Sequence, residues 1–145
     1  MSKESYFPSN RDLAFFRSAE AISNISDHKY QIGCVVVNGH KIISSGCNSH
    51  IRKHPFQARL DKKKFNADCA GYLHAEIDAL LPLIRDKIDL SRATIYTFRK
   101  HRNGNIAMSR PCSRCMSVIK SLGIRKIKYS TEYGYASEVI LWKLL

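Results

Sequence analysis

Apolar residues at Leu13, Phe16, Ala19 and Ile22 recur at helical spacing, and Ser9 and Asn10 stand where a helix cap belongs. The pattern predicts a helix near residues 10–25 with one face on a sheet. Gln31 to Val37 and His40 to Ser45 are β-branched runs on either side of Asn38-Gly39, the strongest short hairpin signal, so they read as strand, tight turn and strand. Residues 49–72 are polar, basic and weakly periodic. They read as a long loop, of a length more often functional than idle. Helical spacing resumes at Ala75, Ile77, Leu80, Leu81 and Ile84. Pro82 has no amide hydrogen to donate, so this helix is expected to kink or restart near Leu81. Thr94 to Phe98 is a third strand, and Asn103-Gly104 turns a basic excursion back toward Met108 and Ser109. A further helix is expected to start at Pro111 and end at Gly123, followed by a fourth strand from Ile124 to Tyr129.

This order, α-β-β-α-β-α-β with an optional last β, is that of an α/β protein: a mixed sheet of four to five strands with helices packed on it in three layers. The second and third strands, and the third and fourth, fit right-handed crossovers and are expected to be parallel neighbours. Thr131 to Ser137 leaves no room for a crossover helix, so any fifth strand should fold back antiparallel on the fourth. The tail from Val139 to Leu144 has strand-like or helical apolar content.

At 145 residues the chain is expected to be one domain, residues 1–145. A composition 44% hydrophobic and 25% charged is globular and excludes a disordered or low-complexity chain. No apolar run approaches the roughly 18 residues of a membrane span, and Met1-Ser2-Lys3-Glu4-Ser5 is no signal peptide, so a soluble, cytoplasmic protein with no membrane partner is expected. Five cysteines, an odd number, argue against a disulfide framework and for metal binding or simple burial. The net charge of +12 is uneven. Residues 51–64 and 99–128 together hold fifteen bases against one acid, Asp61, and the other 101 residues are slightly acidic. Such segments attract phosphate or a polyanion.

Two short motifs carry chemistry: His74-Ala75-Glu76 at one helix start and Pro111-Cys112-Ser113-Arg114-Cys115 at another. Cys112 and Cys115, three apart at a helix start, project to one side and can share a metal with His74. Two thiolates and an imidazole leave the fourth position of a tetrahedral Zn²⁺ open, which is the arrangement of a catalytic site. Residues two apart point to nearly opposite sides of a regular helix, so His74 and Glu76 share a site only if the helix begins close to His74. The site would then sit at two helix N-termini, whose free amides favour a bound hydroxide. Zinc lowers the pKa of its water from about 15.7 to about 7, and Glu76 is placed to take that proton and pass it to a ring nitrogen and a leaving amine.

The H-x-E and P-C-x-x-C pair is the signature of zinc-dependent base deaminases. From about residue 31 to residue 130 the chain resembles the cytidine deaminase superfamily, and within it the deoxycytidylate and tRNA-adenosine deaminase branch. Gly46-Cys47-Asn48 is similar to the Gly-x-Asn in which that branch holds sugar or base. The resemblance implies a cytidine-deaminase-like fold, one catalytic zinc on His74, Cys112 and Cys115, Glu76 as proton shuttle and Asn48 as a substrate contact. It also implies that the amides of Ala75 and Glu76 and the carbonyl near Arg110 read the polar edge of the base, and that copies assemble into a homo-oligomer.

The favoured substrate is a cytosine mononucleotide such as dCMP, with basic loop residues on its phosphate. One alternative is a polynucleotide base deaminase acting on single-stranded DNA or tRNA; another is a non-catalytic zinc-stabilised binding protein. A second, structural zinc on Cys69, His50, His54 and Asp68 is a further alternative, though no Cys-x-x-Cys pair supports it. Cys34 and Cys47 read as core. Surface positions explain His28, His40 and His101, and Tyr129, Tyr133 and Tyr135 could stack on a base or serve the last strand's core and edge.

Overall fold

Five consecutive residues, Gly33 to Val37, are buried, so this run lies inside a sheet covered on both faces, and the sheet is built outward from it. In this computed structural model, which describes residues 6–65 and 72–140, the strands are β1 (Ile32–Asn38), β2 (Lys41–Cys47), β3 (Ala93–Lys100), β4 (Ile106–Ala107), β5 (Lys126–Thr131) and β6 (Gly134–Val139). The helices are α1 (Asn10–Ser23), α2 (Pro55–Phe65), α3 (Ala75–Arg85) and α4 (Ser113–Ser121).

The sheet order is β2-β1-β3-β5-β6, with the two-residue β4 paired to β3. β1 is antiparallel to both β2 and β3, β3 is parallel to β5, and β6 folds back antiparallel on β5. The expected parallel pairing of the third and fourth strands holds, as does the antiparallel last strand. The expected pairing of the second and third strands does not, because β1 lies between them. Burial explains the choice: β1 has apolar side chains on both faces and takes the interior, whereas β2 begins exposed and takes the edge. The last strand also falls earlier than the apolar tail, and residues 141–145 lie outside the described residues.

Alternation along β1 divides two cores. Val35 and Val37 face Phe16 and Ala19 of α1, while Cys34 and Val36 face α3 and α4, so helices cover both faces in three layers. Ser9 caps α1 by accepting the Asp12 amide at 3.1 Å, a bond worth about 1 kcal/mol. Gly39, at φ 66°, makes the tight turn between β1 and β2.

α3 runs unbroken through Pro82. It also sits close to β2, because a side chain at Gly46 would come within 2.5 Å of the Ala79 nitrogen and 2.8 Å of the Ala75 oxygen. Gly46 therefore sets how near the start of α3 lies to the sheet. The long loop expected over residues 49–72 is in part the helix α2. Its buried positions include Gln57 and Asp61, polar residues that leave no apolar stripe in the sequence.

Candidate active site

Two helix starts meet at the C-terminal end of the parallel pair β3 and β5. His74 directly precedes α3 with extended backbone (φ −83°, ψ 152°), and Cys112 precedes α4 in the same conformation (φ −69°, ψ 168°). Neither side chain caps its own helix. Both are free to face each other: His74 Nδ1 lies 3.5 Å from Cys112 Sγ and 3.4 Å from Cys115 Sγ. All three donor atoms fall within 4.8 Å of one another. Tetrahedral zinc bonds of about 2.3 Å to sulfur and 2.0–2.1 Å to nitrogen give N···S edges of roughly 3.6 Å, so the donor set fits zinc without rearrangement. Among the described residues no other group of three His, Cys, Asp or Glu side chains converges in this way.

α3 begins at Ala75, as close to His74 as the shared site requires, and Glu76 is thereby brought into the same cleft. The residue is 5% exposed, and burial raises its carboxyl pKa above the ordinary range against the opposing charge of His74. The hydrogen bond from Cys115 outweighs burial and pushes the Cys112 thiol down to about 3, with His74 adding to the effect. His74 is raised in return, chiefly by its hydrogen bond with Cys112.

The cleft holds about 400 Å³ and is lined by His28, Tyr30, Asn48, Leu73, His74, Ala75, Glu76, Arg99, Ser109, Arg110 and Cys112, among others. All the expected site residues line it except Cys115, which is buried beneath. Asn48 is anchored there: its Oδ1 accepts from the Ile32 amide (2.9 Å) and the Ser26 hydroxyl (2.6 Å), and its Nδ2 donates to the Tyr30 carbonyl (2.6 Å). One amide hydrogen is left over for a ligand.

Arg110, which lines the cleft, turns its guanidinium onto the buried Glu138 in a two-pronged pair (2.7 and 3.2 Å). The preceding Ser109 is fixed by buried hydroxyls. Its Oγ donates to the Thr97 carbonyl (3.0 Å) and accepts from the Ser130 amide (2.9 Å), so the segment leading into Cys112 is locked to the ends of β3 and β5.

α2 supplies contacts that the sequence did not announce. Gln57 Oε1 accepts the His74 amide (3.3 Å), its Nε2 donates to Asp61 Oδ1 (3.0 Å), and Arg114 reaches that Asp61 oxygen (3.5 Å). Gln57 and Asp61 are fully buried, so one relay joins the start of α3 to the first turn of α4. The only signals for it were Pro55, well suited to a first helical position, and the four-residue spacing of Gln57 and Asp61.

Other expectations divide. His28, read as a surface residue, lines the cleft, as do Tyr30 and Arg99. Tyr129 is buried core, Tyr135 stacks on Phe16 at 4.1 Å and Tyr133 is 97% exposed, so none of the three lines the cleft. Cys34 and Cys47 are buried as expected. The second zinc falls on Asp68 and Cys69, which lie outside the described residues; His50 faces Asp27 at 3.4 Å, and His54 accepts the Phe56 amide. Much of the basic excess is neutralised in place, since Arg52, Lys100, Arg110, Arg114 and Lys128 pair with Asp78, Glu20, Glu138, Asp61 and Asp12.

A three-layer mixed sheet with a His-Cys-Cys cluster at two helix N-termini defines a zinc-dependent deaminase-like class. The model of the cytidine and deoxycytidylate deaminase zinc-binding region matches residues 9–131, and the chain belongs to that family. The matched region includes the cluster, which supports one catalytic zinc. The chain is 28% identical to a deoxycytidylate deaminase of Schizosaccharomyces pombe over 94% of its own length, but spans 39% of that relative. Among solved structures it is similar to the dCMP deaminase of cyanophage S-TIM5 (22% identity, TM-score 0.59, 86% of this chain and 84% of the other). It is also similar to a cytidine deaminase from Burkholderia pseudomallei (15% identity, TM-score 0.61, 88% and 91%). The phage enzyme was also solved in complex with dCMP and dUMP, and that structure covers 86% of this chain at 19% identity and TM-score 0.60.

Proposed function

We propose that the chain is a zinc-dependent hydrolytic deaminase that converts a cytosine nucleotide of the dCMP type to the uracil nucleotide with release of ammonia. The observation that carries this reading is the convergence of His74, Cys112 and Cys115 at two helix starts with the buried Glu76 beside them. His74 Nδ1 and the sulfurs of Cys112 and Cys115 would hold one zinc ion, which when bound supplies an activated water at neutral pH.

The chain's own part is proton movement and positioning. Glu76 accepts a proton from the attacking water and delivers it to the ring nitrogen of cytosine. A second proton passes the same way to the departing amine, so water plus cytosine gives uracil plus ammonia. The Ala75 and Glu76 amides at the helix start and the main chain at Arg110 orient the base edge, and the spare Asn48 amide hydrogen orients sugar or base. The pairing of Arg110 with Glu138 keeps its charge off the base. A relative named for deoxycytidylate deamination and a phage structure holding dCMP and dUMP favour a cytosine nucleotide as the substrate class. Assembly of several copies, implied by the family resemblance, belongs to the same reading.

The test is zinc-loaded protein incubated with deoxycytidine, dCMP, AMP and GMP, with products read by mass spectrometry. Conversion of dCMP to dUMP with stoichiometric ammonia is expected, and Cys112→Ala should lose both metal and turnover. No conversion of any cytosine compound by protein containing zinc overturns the reading.

A further inference from the structure

The zinc cleft is open on one side. Tyr30 and Arg99 line it and also line a second groove of about 590 Å³, whose other walls include Lys29, Lys100, His101 and Arg102. The register explains the junction: Ile32 of β1 faces Arg99 of β3, so the residues entering β1 lie beside those leaving β3. Gly104, at φ 88°, and a bond from the His101 amide to the Asn105 carbonyl (2.7 Å) turn the chain there and leave His101 and Arg102 exposed.

Among the described residues no carboxylate lines this groove. Lys100 pairs with Glu20, but among the described residues Lys29, Arg99 and Arg102 meet no acid. Lys29 and Arg99 instead sit on the Tyr30 ring, at 5.3 and 4.9 Å from its centre, and Arg99 Nε is buried without a hydrogen-bond partner. Among the described residues the half-buried bases outside the groove, Arg110, Arg114 and Lys128, each pair with an acid, whereas the half-buried Arg99 does not. Unpaired cations in one concave surface raise the local potential and draw in anions. One nucleotide phosphate needs one or two such donors, and the groove presents more.

Resting on the deaminase reading, we propose that this groove binds a run of phosphates attached to the substrate beyond the reacting cytosine, so that the preferred substrate carries more phosphate than dCMP. The shared chemistry has two sources, the polyphosphate of a nucleoside triphosphate and the backbone of a single strand.

The experiment compares deoxycytidine, dCMP, dCTP and a short single strand with one internal dC, using wild type and the double variant Lys29→Glu, Arg102→Glu. Both residues are exposed and neither touches the zinc cluster. In wild type, kcat/KM for dCTP or for the strand should exceed that for dCMP at least tenfold. The double variant should lose that gain while its values for deoxycytidine and dCMP stay within about twofold. Preference for dCTP assigns the polyphosphate source; preference for the strand, falling steeply with salt, assigns the backbone source. The proposal is overturned if dCMP is the best substrate, or if charge reversal lowers all four alike or none. Fluorescence anisotropy with a labelled oligonucleotide, competed by dCTP, separates the two readings. If no cytosine compound turns over, binding that the double variant abolishes keeps the groove and discards the deaminase, whereas absence of binding overturns the groove as well.

Discussion

Asp12 and Glu76 are both carboxylates at the start of a helix, both nearly buried, on opposite faces of one sheet. Asp12 is surrounded by donors: the Tyr6 hydroxyl (2.5 Å), the Tyr96 hydroxyl (2.5 Å) and the Lys128 ammonium (2.8 Å). Burial alone would raise its pKa, but these bonds outweigh it and hold the carboxyl below its ordinary range. Glu76 has its pKa raised by burial and faces a cleft. Position on a helix and burial do not separate them. What separates them is whether the chain surrounds the group with strong donors, as around Asp12, or leaves it only its own amide and the Cys115 thiol at the wall of a cleft, as around Glu76.

The sharpest way to break this contrast is to neutralise Glu76. Glu76→Gln keeps the shape and is expected to lower kcat by about 10²–10⁴ while zinc content and melting temperature stay at wild-type levels. Metal analysis and calorimetry beside the activity assay check it. Retained turnover would make Glu76 a structural residue like Asp12, and the contrast would fail.

Asp12→Ala should do the reverse. It strips the partner from a half-buried ammonium and two phenols, a loss of about 2 kcal/mol in denaturant unfolding, with zinc content and kcat unchanged below the melting range. Because the folded pKa of Asp12 lies below the unfolded value of about 3.9, its stabilisation is complete above that pH and is lost as pH falls through the folded value. The stability gap between wild type and Asp12→Ala should therefore be constant near neutrality and narrow below about pH 4. A gap that instead widened in acid would show that the cluster is not held by the carboxylate charge.

The zinc face was far more legible in the sequence than the Asp12 face. Two motifs of fixed spacing at helix starts encode the metal cluster almost completely, because three side chains and two helix N-termini determine it locally. Asp12, by contrast, meets its partners from 84 and 116 positions away, and no spacing rule reaches that far. The same reason sets the sheet order apart from the sequence pattern, since adjacency of β1 and β3 depends on burial over both faces rather than on local pattern. α2 was hidden because its inward positions include Gln57 and Asp61. A helix that buries polar side chains lacks the periodicity by which helices are found. The two basic segments were legible as charge but not as function. Ion pairs consume five of their bases, and of the rest Arg99 and Arg102 line the groove beside the cleft.

Asp61 lies between the two extremes and tests the contrast most finely. Its neighbours on either side of the relay are Gln57, which accepts the His74 amide, and Arg114, which sits between the two cysteine ligands. Like Asp12 it is held by the chain, through Oδ1; like Glu76 it lies beside the zinc cluster, and its buried Oδ2 has no hydrogen-bond partner among the described residues. If it acts only as packing, Asp61→Asn should cost stability and leave metal affinity alone. If it positions the ligands, the same change should weaken zinc binding about tenfold, the scale of a lost supporting contact, equivalent to about 1.4 kcal/mol. Gln57 can still bond to an Asn at that position, so the start of α3 stays in place and the loss falls on Arg114 and the cysteine side of the cluster. Chelator competition reads the affinity and calorimetry of the metal-free protein reads the stability. Weakened zinc with a melting temperature close to wild type would make Asp61 a positioning residue, and unchanged affinity with a lowered melting temperature would put it with Asp12.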